Sequence, residues 1–184
     1  MKAASSAGKC IALLRGINVG KNKRIAMADL RELLTDLGYG DVKTLLQSGN
    51  AVFTARGTAE VLAGQIQRAI TDRFRLEVAV IVRSAEELAK AIAANPIKNG
   101  ESDGAKLLIA FLAARPAAAK LRHIDPADFA PEEFAVAGRE IYMWCRNGVS
   151  ESNLFTVFSE KAIGVTSTAR NWNTLTKLRA LTEQ

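Results

Sequence analysis

The feature that most constrains the fold of this chain is an order of apolar periodicities that occurs twice. A continuous apolar run of strand length, Lys9 to Leu14, is followed by apolar residues at Met27, Leu30, Leu33, Leu34 and Leu37. The run suits a strand covered on both faces or lying under a helix. The spaced residues form the single stripe of an amphipathic helix, with Asp29 in its first turn to suit the helix dipole and Gly38 where it stops. Val42 to Leu46 and Ala51 to Thr54 then read as two strands. Gln47-Ser48-Gly49-Asn50 between them has the positive-φ residue and back-bonding side chains of a hairpin turn. Thr58 caps a second predicted helix with a stripe at Leu62, Ile66, Ala69, Ile70 and Phe74, and Glu77 to Val82 closes the set as a fourth strand. An order β-α-β-β-α-β predicts a ferredoxin-like split βαβ plait, an antiparallel sheet with both helices on one face.

Ser84-Ala85-Glu86-Glu87 is a capping box that opens a third helix through Leu88, Ala91 and Ile92, and Asn95-Pro96 ends it. Lys98 to Gly104 is the most polar and glycine-rich stretch and is read as a boundary. Beyond it the grammar repeats: strand Lys106 to Leu112, helix Pro116 to Arg122 with proline at its start, strand Glu133 to Ala137, turn Gly138-Arg139, strand Glu140 to Cys145, helix Glu151 to Ile163 stopped by Gly164. The second set is expected to lack or replace its last strand. A C-terminal helix from Trp172 to Leu181 carries Leu175, Leu178 and Leu181 on one side. The predicted fold class is therefore α+β, tandem ferredoxin-like (split βαβ plait) repeats with a C-terminal helix. Its parts are a first half over residues 1–83, a linking helix and polar loop over 84–104, and a second half over 105–184.

Function classes narrow by elimination. The two cysteines, Cys10 and Cys145, each lie in an apolar run and are read as buried thiols of a reducing cytoplasm, too few for a metal site. No cofactor or metal is called for. The single histidine, His123, sits at a helix end beside Ile124-Asp125-Pro126, and adjacent pairs such as Glu132-Glu133 diverge on either a strand or a helix, so no acid–base couple is visible. The N-terminal tail is too polar for a signal peptide and no apolar run approaches the roughly 18 residues of a membrane span, which places the chain in the cytoplasm with no membrane partner. A net charge of +6 admits an acidic partner, whether nucleic acid, nucleotide or anionic metabolite, but with Lys and Arg scattered along the chain an ordinary basic surface is the slightly favoured reading.

The candidate ligand-facing stretch is Arg15-Gly16-Ile17-Asn18-Val19-Gly20-Lys21, where a buried strand turns into a glycine-and-lysine loop. Gly16 and Gly20 permit positive φ and close approach to the main chain, while Arg15, Lys21, Lys23 and Arg24 supply charge. The spacing is neither a P-loop nor a dinucleotide fingerprint. Gln47, Ser48 and Asn50 on the hairpin add amides and a hydroxyl. Arg170, Asn171 and Asn173 at the start of the last helix add a guanidinium, amides and free backbone N–H groups. The competing reading is architectural: Asn18, Ser48 and Asn50 satisfy turn backbone, and Asn171 or Thr168 caps a helix.

Through Leu13-Leu14-Arg15-Gly16-Ile17-Asn18-Val19-Gly20, Leu46-Gln47-Ser48-Gly49-Asn50 and Arg170-Asn171-Trp172-Asn173-Thr174, the chain resembles the bacterial family catalogued as domain of unknown function 1697. The resemblance spans nearly the whole chain. It implies a two-part α+β fold with ferredoxin-like repeats and carries no activity. Two departures flank the loop: one glycine of a commoner Val-Gly-Gly-Lys is absent at Gly20-Lys21, and Ala26 stands where a proline often precedes the methionine.

Three functions follow as expectations. The first is a binding module for a small anionic or nucleotide-like ligand, held by Arg15, Gly16, Asn18, Gly20, Lys21, Gln47, Ser48, Asn50, Arg170, Asn171 and Asn173. The second, less favoured, is nucleic-acid binding through the basic surface and the strand aromatics Tyr142 and Trp144. The third is an enzyme without a recognisable signature.

Overall fold

The computed structural model describes residues 7–20 and 23–184. The protein is mixed α+β, with two four-stranded antiparallel sheets and helices on them. It divides into two compact units, residues 1–90 with 178–184 and residues 91–177.

In the first unit the elements run β1 (Gly8–Leu14), α1 (Met27–Asp36), β2 (Gly40–Leu45), β3 (Asn50–Ala55), α2 (Ala59–Phe74) and β4 (Val80–Ser84). The sheet order is β2-β3-β1-β4, so β1 lies between β3 and β4 with Leu13 opposite Asn50 and Gly8 opposite Ala55. That central place explains the unbroken apolar run. Ala12 and Leu14 face the helices and join Phe53, Val80 and Val82 under Leu30, Leu34, Leu62, Ile66 and Ile70. Ile11 and Leu13, on the other face, are equally buried. Each large aliphatic side chain removed from water in this way contributes about 1.5–3 kcal/mol. The helix stripes are those expected, and Thr58 caps α2 by accepting from the Val61 N–H at 3.4 Å.

α3 (Ala85–Ala93) opens on the expected capping box: Ser84 N–H donates to Glu87 Oε2 at 2.9 Å and Glu87 N–H to Ser84 Oγ at 3.1 Å. The polar stretch after it is a 3-10 helix, Lys98–Asp103, in which Gly100 is buried, and the Gly104 that follows it is buried too.

The chain continues with β5 (Leu107–Leu112), α4 (Ala118–Leu121), β6 (Glu133–Ala137), β7 (Glu140–Trp144), α5 (Leu154–Val157), α6 (Glu160–Ile163) and β8 (Ser167–Asn171) in the second unit, and with α7 (Trp172–Thr182), whose residues from Leu178 onward belong to the first unit. The sheet order of the second unit is β6-β7-β5-β8. Leu108, Ala110, Leu112, Ile141 and Met143 pack beneath Leu154, Phe158 and Ile163, and Phe134 meets Phe158 edge-on at 4.9 Å.

Three expectations need correction here. A last strand is present: β8 runs along β5 from Leu112 opposite Ser167 to Leu108 opposite Asn171. The helix expected over Glu151 to Ile163 is broken into a 3-10 turn and two single-turn helices, because the chain extends at Ser152 and again at Ser159, whose ψ is 153°. Finally, α4 starts after an extended Ala117, so Pro116 precedes the helix rather than opening it.

Candidate functional site

Where β1 ends, the backbone is tied on both sides before it turns. Arg15 N–H donates to Ala79 O at 2.9 Å and Leu14 N–H to Gly49 O at 2.8 Å, so the loop starts from a fixed point. Gly16 and Gly20 take φ of +66° and +68°, and nothing lies within 4 Å of where a Cβ would stand on either. Ile17 between them is an anchor, 1% exposed. Asn18 organises the rest. Its Nδ2 donates to Ile25 O at 2.9 Å and Gln47 O at 2.7 Å, its Oδ1 accepts from Ile25 N–H at 3.0 Å, and its own N–H donates to Lys23 O at 3.0 Å. One amide side chain thus closes the loop and binds it to the hairpin turn. Lys21 lies outside the described residues.

The turn is built with equal economy. Asn50 is wholly buried and its Nδ2 donates to Leu45 O and Ser48 Oγ, both at 3.0 Å. Gln47 and Ser48 are exposed at the tip. Arg15, Gly16, Asn18, Gly20, Gln47, Ser48 and Asn50 therefore gather at one end of the first sheet. Within that group the side chains of Asn18 and Asn50 satisfy backbone, as the architectural reading expects.

Charge is distributed unevenly around this end. From Arg15 to Arg24 the sequence contains four lysines and arginines and no carboxylate. Two of the cations also brace the loop: Lys23 Nζ donates to Glu77 O at 2.7 Å and Arg24 to Gly20 O at 3.3 Å. Positive charge, open glycine backbone and exposed amide and hydroxyl groups thus occur together.

Arg170, Asn171 and Asn173 belong to the second unit, at the β8–α7 junction. Half-buried Arg170 donates to Thr168 Oγ1 and Ala169 O, both at 2.8 Å. Burial pushes its guanidinium down to about 10, so it remains a cation at neutral pH. Asn171 Oδ1 accepts from Thr174 N–H at 3.0 Å and caps α7, and Asn173 N–H donates to Gly104 O at 3.3 Å.

Burial raises both thiols above their usual range, with Glu87 adding to the effect at Cys10. His123 is exposed, and the described residues contain no group of three or more His, Cys, Asp and Glu able to hold a metal. Tyr142 is 1% exposed and donates to Ala91 O at 2.8 Å, so its ring offers no stacking platform to bases. No described helix is long and apolar enough to cross a membrane.

A second group escaped sequence reasoning. Tyr39, Asp41, Arg56 and Gln65 line a cavity at the far end of the first sheet. The one signal in the sequence is the pair of glycines in Gly38-Tyr39-Gly40-Asp41, which reads as an ordinary helix stop.

In comparisons with known proteins, residues 8–142 match the family described as "Protein of unknown function (DUF1697)". Among solved structures the chain is similar to the conserved bacterial protein SP0830 from Streptococcus pneumoniae, at a TM-score of 0.72 and 20% identity, covering 96% of this chain and 99% of that one. That likeness is one of fold. No curated protein matches in sequence.

Proposed function

The chain belongs to the DUF1697 family, whose description carries no activity, and from its own geometry we propose that its first unit is a binding module for a small anionic or nucleotide-like ligand. The observation that carries the reading is the Arg15–Arg24 loop, with four cations and no carboxylate. The Asn18 bonds to Ile25 and Gln47 hold its ends in place before any ligand arrives. Loop ends anchored beforehand lose less entropy on binding, and donors fixed beforehand are worth more than mobile ones. In this reading Arg15 and Lys21 supply charge, the Gly16 and Gly20 backbone approaches the anion, Gln47 and Ser48 orient it, and Asn18 and Asn50 are positioning residues. Arg170, Asn171 and Asn173 enter as a second donor cluster, tested separately.

The scaffold of the proposal is a tandem of ferredoxin-like plaits in a cytoplasmic protein. Supporting it, each sheet places its first strand between its third and fourth, and a helix follows the first and the third strand of each unit.

Isothermal titration of the full chain with inorganic phosphate, pyrophosphate and adenosine monophosphate tests the function. Binding is expected to weaken about tenfold in Arg15→Ala, the loss of one charge-assisted contact, and to weaken with added salt. The same titration on Arg170→Gln reads the second cluster. Affinities unchanged in Arg15→Ala and Arg24→Ala would reject the reading.

A further inference from the structure

The first sheet has two ends, and the one away from the cationic loop, where Gly8 pairs with Ala55, holds a cavity of about 480 Å³. Three local distortions shape it. The chain leaves α1 through Gly38 at φ +82°, the register of β2 on β3 shifts between Gly40 and Lys43, and Asp41 sits at φ +51°. Bulges and left-handed non-glycine residues cost free energy, re-aim side chains, and concentrate at binding sites. Here they place Asp41 on the cavity lining, where its Oδ2 accepts from Thr54 Oγ1 at 3.1 Å.

The opposite polarity comes from Gln65 and Arg56. Tyr39 stacks on Phe53 with ring centroids 4.8 Å apart and donates its hydroxyl to Gln65 Oε1 at 2.8 Å. With the carbonyl oxygen of that amide engaged, its NH2 is the end left to donate. Burial, and after it the nearby Cys10, hold the Tyr39 hydroxyl above its usual range, which keeps it a donor. Arg56 lies on the same lining, and no hydrogen bond or ion pair to another described residue engages its guanidinium. A carboxylate and a guanidinium thus share one cavity without pairing, beside an amide donor and the apolar Leu37.

We propose that this cavity binds a small zwitterion of the amino-acid type, its ammonium on Asp41, its carboxylate on Arg56 and the Gln65 amide, and its side chain against Leu37. Guanidinium and carboxylate match in a two-bond fork, and the cavity is within the range of about 300–1,000 Å³ usual for small ligands. The site is independent of the anion loop, so either can fail alone.

Amide NMR titration of the full chain with L-alanine, L-glutamine and L-leucine, and with leucinamide and N-acetylleucine, tests the proposal. At least one zwitterion is expected to shift the Gly38, Gly40 and Ala55 amides saturably at millimolar concentration. Leucinamide, lacking the carboxylate, and N-acetylleucine, lacking the ammonium, should each bind about tenfold or more weakly than leucine. Asp41→Asn should abolish the discrimination against N-acetylleucine, and Arg56→Gln that against leucinamide. Asparagine tolerates the left-handed backbone and still accepts from Thr54, so the first variant keeps its fold; Arg56 is exposed, so the second does too. Absence of saturable shifts at these amides with every zwitterion, or unchanged discrimination in both variants, overturns the proposal.

Discussion

Gly49 lies so close to Leu14 that a methyl group on its α-carbon would stand 2.7 Å from the Leu14 Cβ and 2.8 Å from Ile17 Cδ1. The same glycine has φ +75° and accepts the Leu14 N–H through its carbonyl. The hairpin turn is therefore seated directly on the start of the cationic loop, and that seat has no room for a side chain.

Gly49→Ala should cost about 2–4 kcal/mol, the sum of a left-handed alanine and an overpacked contact. Gly16→Ala, at a similar φ but with open space around it, should cost only about 1 kcal/mol. Urea unfolding of both variants reads the difference, and equal losses would show that the contact with Leu14 relaxes without cost.

Asn18 should matter more to the loop than any of its cations. Asn18→Ala places a non-glycine residue without a polar side chain at φ +57° and removes the acceptor for Ile25 N–H and the donor to Ile25 O and Gln47 O. The expected cost is about 3 kcal/mol, with faster amide hydrogen exchange at Ile25. Asn18→Asp keeps that acceptor, so exchange at Ile25 should stay slow while anion affinity falls.

Tyr142 should mark the alkaline limit of stability. Burial, with Glu140 adding to it, raises its hydroxyl to about 12 from 10. The folded state therefore holds the proton that the unfolded chain releases above about pH 10. Its contribution is whole below that pH and is lost as pH rises toward 12, a change of about 3 kcal/mol in all. Tyr142→Phe should cost about 1 kcal/mol at neutral pH through the lost bond to Ala91 and should flatten this decline. Arg170, lowered to about 10, acts with the opposite sign over the same range, because the unfolded chain binds its proton more readily. Comparing denaturation of the two proteins across the alkaline range cancels that shared effect. Identical slopes would contradict the assignment.

Much of the fold was legible because local signals and tertiary demands agree. The Cys10–Leu14 run is central, the Leu62, Ile66 and Ile70 stripe is buried, and the Ser84–Glu87 box is formed as written. β8 was not legible, since Ser167 to Asn171 offers Ala169 as its one apolar residue, and its strand character comes from pairing with β5. Helical spacing over Glu151 to Ile163 hid the extended breaks at Ser152 and Ser159, which serve packing of Leu154, Phe158 and Ile163 onto the sheet. At the site, the sequence showed that Asn18 and Asn50 are polar turn residues; only the structure shows which carbonyls they reach. Asp41 was overlooked because a bulge depends on register with β3, which no single segment encodes.

The most direct measurement on the anion loop is an amide NMR titration of the full chain with pyrophosphate at low salt. Saturable shifts at Gly16, Gly20, Gln47 and Ser48, weakened by Arg15→Ala and reversed by salt, are the expected result. Unperturbed amides at these four residues, or shifts that Arg15→Ala leaves unchanged, would contradict anion binding by this loop.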